Sequence, residues 1–193
     1  MFPIFSSHCN VALQRAAFYA KSALVCGWVL STAHADEPNL EYKIKAAYLY
    51  NFTKFITWPN NPGPSFNICL IGDNPFGNLL DTLETKTVAD KPIRLRHLDS
   101  LKQAQDCQIL YAEKTEQRID VNLTGVLLVG NLGKTLTVSS QPFFAESGGM
   151  IGFVLDDEKV RLHINLKALK QSGLSISAKL IEVATLVEGG GRE

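Results

Sequence analysis

The residues most able to do chemistry are few. Of the four histidines in the 193-residue chain, only His97 and His163 lie beyond residue 35. Neither belongs to an H-E-x-x-H pair of zinc ligands, and no G-x-S-x-G elbow, C-x-x-C pair or S-x-x-K set occurs. Ser139-Ser140, Ser175 and Ser177 have no base at an informative spacing. Asp156-Asp157-Glu158 groups three carboxylates that could hold a hard cation, but between two apolar runs they read as a solvated hairpin loop. Asn51-Phe52-Thr53 and Asn122-Leu123-Thr124 match the glycosylation acceptor pattern, the first of them inside an expected helix. No catalytic residue, metal ligand or cofactor is assigned. What remains is Arg161, His163 and Asn165, which share one side of an expected strand, where His163 can sense pH or line a contact surface.

The stretch that must position these three is 148–184. Met150–Leu155 and Val160–Asn165 have the length and apolar content of strands, joined by the acidic loop as a hairpin. Val160, Leu162 and Ile164 face the core. Leu166 opens a short helix stopped by Gly173, and Ser177 can cap a second helix over Ala178–Val187.

Upstream, residues 41–57 follow a helical period, with Ile44, Ala47, Tyr48, Phe52 and Phe55 on one broad face and Trp58-Pro59 as the stop. The helix carries more aromatic surface than one face needs, and a share in a dimer interface is the alternative to packing on the core. Phe66–Ile71 reads as a buried parallel strand, followed by the turn 72–77 and a helix over Asn78–Leu83. A strand, a glycine turn and a helix N-terminus can receive anions, yet neither nucleotide-binding glycine pattern is present. Pro92–Leu98, Cys107–Tyr111 and Gly125–Gly130 are further strands, with Leu136–Ser139 a short extension. Helical turns are expected at Ser100–Ala104 and Phe143–Glu146, and a weakly apolar helix over Glu113–Val121. The alternation predicts an α/β fold of three layers, a mixed, mostly parallel sheet flanked by helices, with a C-terminal β-hairpin followed by helices.

Residues 1–35 read as a cleaved signal peptide: Arg15 and Lys21, no acidic residue, a short apolar run and Ala33-His34-Ala35. Residues 36–188 then form a single domain and 189–193 a flexible tail. Cleavage leaves 17 basic and 19 acidic residues, a balance with no electrostatic footprint for nucleic acid or for a membrane surface. It also leaves two cysteines, Cys69 and Cys107, each in or beside an expected strand. In an exported protein these are expected to form a disulfide, and metal binding without a histidine partner is not expected. Two function classes survive: a protein-binding module with an exposed apolar pocket, and a small-molecule receptor using the cleft after the Gly72 turn.

Lys45-Ala-Ala-Tyr-Leu-Tyr-Asn-Phe-Thr-Lys-Phe-Ile-Thr-Trp-Pro59 resembles the opening helix of the YfiR family. Gly148-Gly-Met-Ile-Gly-Phe153, Val160–Leu166 and Ser177-Ala-Lys-Leu180 resemble its C-terminal signature. The resemblance implies a periplasmic repressor, not an enzyme. It would bind the periplasmic domain of a membrane-bound diguanylate cyclase, control cyclic di-GMP and biofilm formation, and be sequestered by an outer-membrane lipoprotein. It also implies a homodimer and a bridge matching Cys69 and Cys107. A second bridge of some relatives has no counterpart, since Ala145 and Gly152 stand there. On this reading Ile151, Phe153, Leu166 and Leu169 are expected to anchor the partner, with Arg161 and His163 as the polar edge.

Overall fold

The computed structural model describes residues 40–59, 63–113 and 132–189, all within the unit Pro38–Glu193. The expected signal peptide, the helix over Glu113–Val121, the strand Gly125–Gly130, the acceptor at Asn122 and most of the expected tail lie outside the described residues.

Helix α1 spans Leu40–Phe55. The expected face is rotated. Lys45, Ala46, Leu49 and Phe52 are buried, while Ala47 is exposed. These positions recur at helical spacing around Leu49 and Phe52, both wholly inaccessible to solvent. The surplus aromatics flank that stripe: Tyr42, Tyr48, Tyr50, Phe55 and Trp58 are partly buried against the same core. The helix ends two residues early, where Ile56–Thr57 becomes a strand, β1.

The main sheet comprises β2 (Phe66–Ile71), β3 (Thr87–Val88), β4 (Lys91–Leu98), β5 (Ile109–Ala112), β6 (Leu136–Ser139), β7 (Ile151–Asp156), β8 (Lys159–Ile164) and β10 (Thr185–Leu186). Their order is β10-β8-β7-β6-β5-β2-β4-β3, and a separate pair joins β1 to β9 (Ser175–Ile176). The β7–β8 and β3–β4 pairings are antiparallel and the rest of the main sheet is parallel. The expected fold class therefore holds. The supposed short extension, β6, is a fully buried strand between β5 and β7. Its polar residues are satisfied: Thr137 Oγ1 accepts from Met150 N at 3.1 Å, and Ser139 Oγ donates to Ala112 O at 2.7 Å.

Two expected helices are not as the pattern suggested. Asn78–Leu83 is a series of turns leading into a 3-10 helix at Asp81–Thr85, because Gly77, at φ 54°, and the Asn74 side-chain bonds hold the chain in turns. After helix α2 (Leu166–Gln171), helix α3 covers only Ala178–Ile181 before the chain turns into β10. Ser177 holds the N-cap position of α3 without a side-chain cap bond. The stop of α2 is as expected: Gly173 has φ 73°, its N–H reaches Lys170 O at 3.0 Å, and Leu174 N reaches Leu169 O at 3.1 Å, a Schellman closure.

One face of the sheet packs on α1 in the larger core. The other carries a smaller cluster of Cys69, Ile71, Leu98, Ala104, Cys107, Leu110 and Ala112. Cys69 and Cys107 are bonded there with Cα atoms 5.9 Å apart and 38 residues of separation. Closing such a loop stabilises the fold by about 4 kcal/mol on the chain-entropy account.

Candidate functional site

The C-terminal hairpin turns on two residues, Asp157 and Glu158, with φ of 46° and 60°, one residue tighter than the expected three-residue loop. Both positive values belong to a type I′ turn, whose twist matches that of the flanking strands. The register Val154↔Arg161 and Gly152↔His163 puts Arg161 and His163 on the face away from α1, as their alternation predicts. His163 Nδ1 lies 2.7 Å from Glu146 Oε1, with the two side chains 25 % and 30 % exposed. Arg161 is half exposed, its Nε 3.8 Å from Asp156 Oδ2. Asn165 is 2 % exposed. Its Nδ2 donates to Ala145 O at 3.0 Å and its Oδ1 accepts from Ala168 N at 3.0 Å. It thereby ties β8 to the 140–149 loop and caps α2.

A groove of about 770 Å³ runs between this hairpin and the segment 182–185. Val154, Leu155, Arg161, His163, Glu182 and Val183 are among its lining residues. Leu155 is 56 % and Val183 62 % exposed, so apolar and charged groups both meet solvent here.

The structure divides the expected anchors. Arg161 and His163 line the groove, and Leu166 is partly buried against the larger core. Ile151, Phe153 and Leu169 are core residues with 0 %, 3 % and 1 % exposure, and as they stand they offer no surface to a partner. The reason is positional. Ile151 and Phe153 alternate toward α1, where the Phe153 ring lies 6.0 Å from Tyr48, 6.1 Å from Phe52 and 6.4 Å from Tyr111. Among the described residues, no group of three or more histidine, cysteine or carboxylate side chains could hold a metal ion.

Sequence reasoning passed over a second constellation. Lys45, only 3 % exposed, donates to Glu41 and to Ser140 Oγ, the latter at 2.8 Å, and lies 4.6 Å from the Tyr42 ring centroid. Tyr111 bonds to Glu113, and its hydroxyl lies 2.9 Å from Ser140 Oγ. Burial, and then the bond to Glu113, push the Tyr111 phenol well above its ordinary range; burial, with Glu113 and Glu41 nearby, also raises Tyr42. The spacing of Glu41 and Lys45, one helical turn apart, was the available signal. This network stands at the carboxyl ends of β5 and β6, beside the point where strand order reverses about β2, the customary ligand crevice of open α/β sheets. At the Gly72 turn, after which a ligand cleft is expected, the backbone of Glu113 passes so close that only glycine fits. Gly72 has φ 90°, and a Cβ on it would come within 2.1 Å of Glu113 O.

The sequence profile of the YfiR/HmsC-like family matches residues 42–185, and the chain belongs to that family. No curated protein matches it.

Proposed function

We propose, from its membership of the YfiR/HmsC-like family, that this protein is a periplasmic repressor of cyclic di-GMP signalling. It binds the periplasmic sensor domain of an inner-membrane diguanylate cyclase and holds it inactive, and an outer-membrane lipoprotein relieves the repression by sequestering it. It acts as a homodimer, and residues 1–35 direct its export. The family is regulatory and not catalytic. The observation that carries the reading is the family match over residues 42–185, supported by a mixed apolar and charged groove beside Arg161 and His163. The Cys69–Cys107 bridge suits an oxidising compartment. Among the described residues no helix is long and apolar enough to cross a membrane.

The working surface of this reading is the groove, with Arg161 and His163 kept from the expected set and Leu155 and Val183 as its exposed apolar members, while Leu166 lies outside its lining, partly buried against the larger core. Ile151, Phe153 and Leu169 belong to the core and not to this surface. In cells carrying the cyclase, deleting this protein should raise cyclic di-GMP several-fold and restoring it should lower it again. Arg161→Glu with Val183→Asp should fail to restore repression while keeping the thermal midpoint. Ile151→Ala should lose repression together with about 2–5 kcal/mol of stability, as a buried aliphatic truncation does. Cyclic di-GMP unchanged by both deletion and overproduction would overturn the reading.

A further inference from the structure

Strand β4 has one long neighbour and one short one. On its inner side β2 pairs with it from Ile93 to Leu98, while on its outer side β3 reaches only Lys91 and Pro92. Backbone groups alternate in direction along a strand, and two bonds fix the outward set. Ile93 N donates to Lys86 O at 3.0 Å, and Leu95 N donates to Glu84 Oε1 at 3.1 Å. The next outward residue is His97, and the one after it, Asp99, gives its N–H to Gln103 Oε1 at 3.2 Å. Between those two side-chain acceptors, the Leu95 carbonyl and the His97 N–H and carbonyl meet no protein partner among the described residues. His97 is exposed, and so are Glu84 and its bond to Leu95. Arg94 and Arg96 project from the face that bears the disulfide, opposite Asn67 and Cys69. Arg94 is exposed and Arg96 half-buried, and neither makes an ion pair among the described residues.

We propose that the outer edge of β4 at Leu95–His97 takes up an extended acidic segment of a partner protein, its backbone bonded to this edge and its alternate carboxylates set on Arg94 and Arg96. An exposed edge satisfies its backbone groups best with another strand, and alternate side chains then supply specificity. Directly opposed residues share a face, so acids two apart in the segment meet two guanidiniums about 7 Å apart at strand rise. Each guanidinium presents a planar fork that fits a carboxylate. Leu95, on the opposite face and partly buried at the margin of the larger core, receives the apolar residue between the acids. Glu84 already sets a carboxylate on this edge, and because it is exposed, its displacement buries no charge. Charge also decides against a second copy. Two β4 strands meeting antiparallel about a two-fold axis over Leu95–His97 place Arg94 opposite Arg96, or Arg96 opposite itself, and like charges directly opposite destabilise a strand pair. Basic residues on an edge guard a sheet against its own kind; an acidic strand is the one they attract. In the strand order β4 stands toward the end of the sheet away from β8, so a segment held here leaves the groove open. The inference concerns this second surface and does not depend on the repressor reading.

The test uses the full chain and fluorescein-labelled hexapeptides read by anisotropy at low salt. They are an alternating glutamate–valine peptide, its lysine–valine counterpart, and the glutamate–valine peptide N-methylated on alternate amides in each of its two registers. The glutamate–valine peptide should bind at least tenfold more tightly than the basic one, and N-methylation in one register should weaken it as much. Arg94→Glu with Arg96→Glu should weaken it at least tenfold, and Glu84→Ala, which clears the Leu95 N–H, should tighten it several-fold. Should the double variant fail to fold, Arg94→Glu alone, at an exposed position, carries the same question. Equal binding of the acidic and basic peptides, or of both N-methylated peptides and the parent, overturns the proposal, as does no binding at all. Binding kept by Arg94→Glu and lost by Arg161→Glu would move the peptide to the groove and overturn it. A dimer in sedimentation that Arg94→Glu dissociates would assign the edge to a second copy and overturn it too. Any of these failures leaves the repressor reading to be judged by cyclic di-GMP.

Discussion

Tyr111 shows how far a single residue can be placed by its neighbours. It is wholly buried, packs edge-on to Phe76 with centroids 4.8 Å apart, and points its hydroxyl at Ser140 and Glu113. Because the folded state holds its phenol above the ordinary value near 10, the protonated form is the one that folding prefers. Its contribution is therefore complete below about pH 10 and is lost as pH rises beyond it, at about 1.4 kcal/mol per pH unit. Tyr111→Phe should cost about 1 kcal/mol at pH 7, through the lost hydroxyl bonds, and should flatten the alkaline limb. Urea midpoints of the two proteins should converge between pH 10 and pH 11; a constant gap would refute the assignment. Lys45 teaches the complementary lesson. A lysine in an amphipathic helix is ordinarily a solvent residue, and here the Glu41 carboxylate one turn back, the Tyr42 ring and Ser140, which arrives from far along the chain, together make a buried position tolerable for it.

At the scale of elements, turns decided more than strands did. The acidic hairpin was readable because three carboxylates between apolar runs have few other fates. The matching turn at Ala89-Asp90, with φ of 48° and 63°, was not. It lacks the Asn-Gly or Asp-Gly signal, so no local pattern marks β3, and β4 begins at Lys91, one residue before the expected Pro92. The 140–149 loop is held to the hairpin by the His163–Glu146 contact and by Asn165. A Cβ on Gly152 would stand 3.8 Å from the Ala145 Cβ, which is the mean separation in disulfides. The bridge some relatives carry is thus missing in chemistry and present in geometry. Ala145→Cys with Gly152→Cys should oxidise spontaneously. The oxidised protein should gain stability over its reduced form by about 2.5 kcal/mol, less than the native bridge because so short a loop removes less entropy. Free thiols counted under denaturing conditions would expose a pair that had not closed.

Across the molecule, two cores share one sheet, and the larger has absorbed the aromatic helix that could have served an interface. Tyr48, Phe52 and Phe153 stack in succession, and Trp58 packs on Phe66 while its Nε1 donates to Gln108 O at 2.9 Å. Beside β8, by contrast, exposed aliphatic groups and charge meet solvent together in the groove.

The sequence alone determined the fold class, the bridge between Cys69 and Cys107, the hairpin, and which face of it bears Arg161 and His163. Each is a local matter, set by alternation of side chains along a strand, by turn composition or by the scarcity of cysteine. What only the tertiary structure decided is which apolar residues are free. Ile151, Phe153 and Leu169 look like Leu155 and Val183 when read as letters. The first three lie under α1 or its neighbours, whereas the other two lie past the reach of any covering element among the described residues. Burial depends on what arrives from elsewhere in the chain, and no local pattern of hydrophobicity records that arrival.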